Sequence, residues 1–130
     1  MSKADEWPNK AQLLQLADEL LLGEANALPH ALAFFYQESR GHWHNRARAM
    51  LARRFKHVVL DGRQREQLCA CILGRLSAGN FTEQFIDQLK LAWRLDPLLT
   101  RSAAQAALGS TRAHVRRYAQ RALSFTAPPL

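Results

Sequence analysis

Arginine is the residue type through which this chain could do chemistry, because its arginines are concentrated in two segments. The sequence contains 14 arginines and 4 lysines and has a net charge of +7. Residues 40–65 carry a net charge of +7 and residues 101–130 a net charge of +5, whereas residues 1–39 carry −4 and residues 66–100 carry −1. A guanidinium binds carboxylates and phosphates through two parallel hydrogen bonds, which a lysine ammonium does not. The two segments therefore predict contact with an anionic partner.

Helical spacing indicates which cations share a surface. On a helical wheel, residues 43–56 place three cations opposite an apolar face, and residues 111–124 place an outward basic stripe opposite a second apolar face. The predicted anion-binding residues are Arg46, Arg53, Lys56, His114, Arg116, Arg117 and Arg121.

Two classes of anionic partner fit these stripes, an acidic protein surface and the backbone of a nucleic acid duplex. Trp43, Trp93 and Tyr118 fit apolar helix faces, which argues against a platform that stacks single-stranded bases. We take an acidic protein as the first hypothesis and direct nucleic-acid binding as the alternative. A third interpretation is that the stripes bind no partner and are ordinary solvated helix faces.

Metal ligands and cysteines give weaker signals. Glu38, His42 and His44 form the one cluster of residues that could bind a metal ion, but their spacing defines no coordination geometry, so neither a metal nor a cofactor is predicted. Cys69 and Cys71 point in different directions from one helix, so no disulfide is expected between them. Cys69 falls on an apolar face, where we expect a buried thiol.

No motif of an enzyme occurs in the chain. It has no phosphate-binding glycine loop, no Gly-x-Ser-x-Gly elbow and no His-Glu-x-x-His pair. The apolar runs are much shorter than a membrane span, and the polar, acidic amino-terminal residues are not typical of a secretory signal. The sequence favours a non-enzymatic binding module in the cytoplasm, without a membrane partner, although carboxylates converging from different helices would allow catalysis.

The elements that must position these residues are all helices, because apolar residues recur at three- and four-residue spacing almost throughout. Glycines 23, 41, 62, 79 and 109 stand at breaks in this pattern, where a left-handed glycine ends a helix. Asp96 before Pro97, and Ser110 after Gly109, mark two helix starts. The predicted helices are 9–22, 27–39, 43–57, 63–78, 81–95, 97–108 and 111–124.

We predict one all-α domain over residues 1–126, followed by a disordered tail over residues 127–130. Residues 96–109, DPLLTRSAAQAALG, resemble the Asp-Pro, Arg, Ala-Ala and Ala-Leu-Gly signature of HEAT-like repeats in armadillo-type helical proteins. Residues 115–123 are similar to the second helix of such a repeat, and residues 47–55 align on them without gaps. The resemblance implies antiparallel helical hairpins stacked as a short α-solenoid. A compact irregular helical bundle is the alternative.

Overall fold

A computed structural model describes residues 8–39 and 42–125, except for the side chains of His42 and Glu83. Within these ranges all regular structure is helical and no strand occurs, which confirms the all-α prediction. The α-helices are α1 (Lys10–Leu21), α2 (Ala27–Tyr36), α3 (His42–Phe55), α4 (Gly62–Ala78), α5 (Ile86–Leu95), α6 (Pro97–Ala107) and α7 (Ala113–Leu123). A 3₁₀ turn, Glu83–Phe85, precedes α5. None of these helices is long and apolar enough to cross a membrane. The predicted tail, residues 127–130, lies outside the described residues.

Polar side chains cap the starts of three helices. Asn9 before α1 and Asp61 before α4 each form a capping box, in which the cap and the residue three positions later accept each other's backbone N–H. At α6 the carboxylate of Asp96 accepts a hydrogen bond from Leu99 N at 3.0 Å, and Pro97 is the first helical residue. This confirms the predicted start of α6, where the missing N–H of proline costs nothing.

Two of the predicted left-handed glycines take that conformation. Gly23 after α1 has a φ of +76° and Gly79 after α4 has a φ of +73°. The prediction is wrong for Gly62 and Gly109, neither of which has a positive φ. Gly62 is the first residue of α4, and α6 ends in tight right-handed turns that need no glycine. Gly41 lies outside the described residues.

Two helix boundaries, the end of α2 and the start of α5, differ from the prediction by more than two residues, and the start of α7 differs by two. The α2 helix ends at Tyr36 rather than at residue 39, because Gln37 is extended with a ψ of 144°. The α5 helix begins at Ile86 rather than at residue 81, since the 3₁₀ turn comes first. The α7 helix begins at Ala113, where Ser110 Oγ accepts from Arg112 N at 3.1 Å and turns the chain before the helix.

Contacts divide the chain into two compact units, residues 1–58 and residues 59–130. The single domain over residues 1–126 stays a prediction. In the first unit, α1, α2 and α3 contact one another, and the rings of Phe35 and Phe55 meet edge to face with centroids 5.5 Å apart. The other buried apolar residues of this unit include Leu13, Ala17, Leu20, Ala31, Leu32, Ala47, Leu51 and Ala52.

The second unit contains α4 to α7, and each of these helices contacts the other three. Phe85 from the 3₁₀ turn is 1% exposed and stacks on Phe81 with centroids 4.4 Å apart. The buried residues of this core include Leu68, Ile72, Leu76, Leu89, Leu91, Ala92, Ala104, Val115 and Ala119. The apolar spacing read from the sequence therefore marks the inner face of each helix.

Candidate functional site

The α7 helix presents an exposed stripe with two arginines one turn apart. Arg117 and Arg121 are exposed, as are Gln120 and Ser124 on the same side of the helix. The opposite side is buried and consists of Val115, Tyr118, Ala119 and Ala122. The predicted outward stripe therefore holds for Arg117 and Arg121, and we call these two residues the arginine stripe.

The segment of sequence that carries the arginine stripe contains no acidic residues. Residues 97–130 contain five arginines and no Asp or Glu. The guanidinium of Arg121 lies over the buried ring of Tyr118, with its carbon 5.3 Å from the ring centroid. This stacking holds the guanidinium of Arg121 against an aromatic ring at an exposed position of the helix.

Two other predicted site residues on α7 contact carbonyls inside their own unit. His114 Nε2 lies 3.1 Å from Gly79 O, so it donates to a carbonyl at the carboxyl end of α4. Arg116 Nη1 donates to Ser110 O at 2.7 Å, in the turn before α7. Both side chains are half-buried, whereas those of the arginine stripe are exposed. Their part in anion binding stays a prediction.

A residue outside the predicted set completes the contact with α4. Arg112 Nη1 donates to Ala78 O, the last carbonyl of that helix. A cation at the carboxyl end of a helix is favourable because the helix dipole is negative there. The first residues of α7 therefore cap α4, and the later residues carry the stripe.

In the first unit, Arg46 and Arg53 are exposed on α3, two helical turns apart, as the spacing predicted. Lys56 is half-buried and lies in the turn after the helix. Trp43, predicted on the apolar face, is also half-buried. Lys10 Nζ lies 4.1 Å from its ring centroid and the guanidinium carbon of Arg46 lies 4.8 Å from it. Arg46 is therefore held against an aromatic ring, as Arg121 is.

The alignment of residues 47–55 with residues 115–123 describes the buried face of each helix but not its width. Three of the four aligned apolar positions are fully buried in each helix. Ala49 and Ala52 are also buried in α3, whereas the aligned Arg117 and Gln120 are exposed in α7. The α3 helix is packed around most of its circumference, so its exposed cations form a narrow line.

Arg48 is a structural arginine that the helical wheel did not identify. It is 4% exposed and its Nη2 donates to Gln37 O at 2.8 Å, to Ser39 Oγ at 2.9 Å and to Ser39 O. Its guanidinium also lies over the ring of Phe34, 5.4 Å from the centroid. The signal available in the sequence is the small residue on each side, Ala47 and Ala49, which is typical of a closely packed helix.

The predicted cluster of metal ligands contains a histidine whose two ring nitrogens have protein partners. His44 Nδ1 lies 2.9 Å from Ser39 Oγ and His44 Nε2 lies 3.2 Å from Pro8 O. Because a carbonyl only accepts, Nε2 is the donor to Pro8 O, and in the tautomer protonated at Nε2 alone Nδ1 accepts from the serine hydroxyl. Among the described side chains, no group of three or more His, Cys, Asp or Glu residues could hold a metal ion.

Cys69 is a buried thiol, as predicted, and neither cysteine forms a disulfide. Its Sγ lies 3.9 Å from Ala92 O. Burial, and to a smaller extent the nearby Asp96, raise the pKa of the thiol, while Arg65 lowers it; together they bring the pKa from 9.0 to about 11. Cys69 is therefore protonated at neutral pH and is a poor nucleophile.

Comparison with known proteins assigns the chain to no family. No protein-family model matches it. No curated protein and no solved structure matches it either. The resemblance to HEAT-like repeats therefore stays a prediction, and the candidate site depends on geometry and charge alone.

Proposed function

We propose that this protein is a non-enzymatic binding module that docks an anionic protein on its arginine-rich helix faces. The observation that carries the proposal is the arginine stripe. Arg117 and Arg121 are exposed one turn apart, in a stretch of the chain that contains no carboxylate. Arginines without neighbouring acids keep their hydrogen-bond donors for the carboxylates of a partner. Arg46 and Arg53 of the first unit are also exposed on one helix, α3, and form a second basic face.

Exposed leucines on α6 favour a protein as the partner. Leu98 is 81% exposed and Leu99 is 48% exposed, in the first turn of a helix that packs against α7. Protein surfaces offer apolar groups as well as carboxylates, so one partner would contact both the leucines and the arginines. A phosphate backbone offers hydrogen-bond acceptors but little apolar surface.

The proposal includes the architecture predicted from the sequence, in which α4–α5 and α6–α7 are stacked helical hairpins of the HEAT-like type. Its support is that α4 contacts α6 and α5 contacts α7, as stacked hairpins require. Helical arrays of this type usually bind through extended surfaces, which is an argument from the fold class alone.

The test is a binding titration with two fluorescent probes, an acidic helical peptide containing Glu and Leu and a mixed-sequence DNA duplex. The double variant Arg117→Gln, Arg121→Gln should weaken peptide binding about tenfold or more, since two charge-assisted contacts are lost. The control is Arg63→Gln, Arg94→Gln, which removes the same charge from exposed positions on α4 and α5. This control should bind the peptide almost as the natural chain does.

Two outcomes would contradict the proposal. If both variants bind the peptide alike, the stripe is a solvated helix face. If the natural chain prefers the duplex, and its affinity falls steeply with salt as counterions are released, the nucleic-acid alternative replaces the protein partner.

A further inference from the structure

We infer that the arginine stripe docks on α1 of a second copy of this chain. The contact surface on α1 consists of Leu14, Asp18, Leu21 and Leu22, and we call it the acidic leucine face. The inference rests on the proposed function, because it names the protein that the stripe binds.

The acidic leucine face is an outer surface of α1. Leu14, Asp18 and Leu21 recur at spacings of four and three, which places them on one side of the helix, and Leu22 follows directly after its last residue. Leu14 is 39% exposed, Leu21 is 56% exposed and Leu22 is 77% exposed. The core of the first unit is formed instead by Leu13, Ala17 and Leu20 from the other side of α1. The helix is therefore apolar on two sides, and its outer leucines are left at the surface.

The two surfaces carry opposite charge: the stripe carries only arginines, whereas α1 carries Asp18 and Glu19 with one cation, Lys10, which lies one turn before Leu14 and over the ring of Trp43. Residues 11–39 contain four acidic residues and no Lys or Arg, whereas residues 97–130 contain five arginines and no Asp or Glu. Asp18 is exposed, and Glu19 Oε1 accepts a hydrogen bond from the neutral Gln15 at 2.9 Å. Neither carboxylate has a described cation as its partner. Surfaces of opposite charge attract each other and disfavour copies in the wrong orientation.

Apolar groups accompany the charge on both surfaces. The arginine stripe lies on a helix that packs against α6, where Leu98 and Leu99 are exposed beside the exposed Arg101. Docking would bury leucines from both copies while arginines face Asp18 and Glu19. Buried apolar area with complementary charges around it is the usual composition of a specific protein interface.

The two surfaces differ, so the contact is head to tail rather than symmetric. Each copy offers an acidic leucine face to one neighbour and an arginine stripe to another, which leads to open chains or closed rings. A variant that lacks one surface keeps the other. This property makes a mixing experiment decisive.

The experiment measures the mass of the full chain by sedimentation velocity at low salt. The natural chain should associate with rising concentration beyond its monomer mass of 14.7 kDa. The acidic-face variant Asp18→Lys, Glu19→Lys and the stripe variant Arg117→Glu, Arg121→Glu should each be monomeric. An equimolar mixture of the two should associate again, because the natural contact and the contact with both charges reversed are each complementary. A chain carrying all four substitutions should associate again through the reversed charges.

A second pair of variants keeps the test valid if a charge reversal prevents folding, which circular dichroism would detect. Leu22→Ser and Leu98→Ser change residues that are 77% and 81% exposed, so folding should survive. Each should weaken self-association about tenfold through lost apolar contact.

A natural chain that stays monomeric at high concentration and low salt would overturn the inference, as would a mixture of folded variants that does not associate. If that monomer still binds the acidic peptide through the stripe, the proposed function stands and only the second copy is excluded. If the peptide is not bound and the mixture does not associate, both proposals fail together.

Discussion

At the scale of single residues, Arg48 and Ser39 hold the chain between α2 and α3. The guanidinium of Arg48 satisfies the carbonyls of Gln37 and Ser39, which follow the last turn of α2. Ser39 Oγ in turn contacts His44, whose ring contacts Pro8 O. This network gives a physical reason for the end of α2 at Tyr36, because the next carbonyls face a buried cation and not the helix.

Arg48→Met should destabilise the first unit by about 2–3 kcal/mol, since buried carbonyls lose their donors while the apolar volume is nearly kept. The control Arg46→Met changes an exposed arginine of the same helix that lies over the ring of Trp43. It should cost at most about 1 kcal/mol. Urea unfolding followed by circular dichroism measures both values, and equal losses would contradict the role assigned to Arg48.

At the scale of elements, the α4–α7 contact depends on a close approach at Gly79. A Cβ added there would lie 2.7 Å from Arg112 Nη1, 3.1 Å from His114 Nε2 and 3.2 Å from Val115 Cγ2. The residue also has a φ of +73°, a backbone angle that residues other than glycine rarely adopt. Glycine therefore serves two purposes here, the left-handed helix end and the space for the residues that cap it.

Gly79→Ala should cost about 2–3 kcal/mol, because the backbone strain of about 1 kcal/mol is added to the displacement of Arg112 and His114. Gly23→Ala is the matched control, with a φ of +76° and no atom within 4 Å of the added Cβ. It should cost only the backbone strain. Thermal unfolding of both variants measures the difference, and similar melting shifts would show that the close approach carries no energy.

At the scale of the whole molecule, contacts and charge are both segregated along the chain. The contacts group into residues 1–58 and 59–130, and each group has buried leucines and at least one buried phenylalanine of its own. The unmixed acidic stretch belongs to the first unit and the unmixed basic stretch to the second. A chain with opposite charge at its two ends is suited to head-to-tail association.

Phe55→Ala should lower the stability of the first unit by about 3–5 kcal/mol, because it empties a core position that is 1% exposed. Hydrogen exchange measured by mass spectrometry should then accelerate over α1 to α3 and stay slow over α4 to α7. Leu89→Ala, at a fully buried position of the second unit, should have the reverse effect. Loss of protection over both units with either variant would instead support the single cooperative domain predicted from the sequence.

The features that the sequence determined by itself are local ones, which depend on residues a few positions apart. Apolar spacing located all the helices among the described residues, since a helix repeats every few residues and buries one side. Asp96 and Pro97 marked a helix start because capping involves neighbours three positions apart. The arginine stripe was visible for the same reason, because exposure on a helix follows from the apolar residues opposite.

What only the tertiary structure decided involves residues distant along the chain. His114 and Arg112 contact the end of α4 more than thirty residues earlier, so no helical wheel could separate them from cations at the surface. The burial of Arg48 and the exposure of Arg117, at nearby positions of the aligned segments, also depend on how many neighbours surround each helix. Spacing along one helix reports its apolar face, whereas the partner of each cation is set by which helices pack around it.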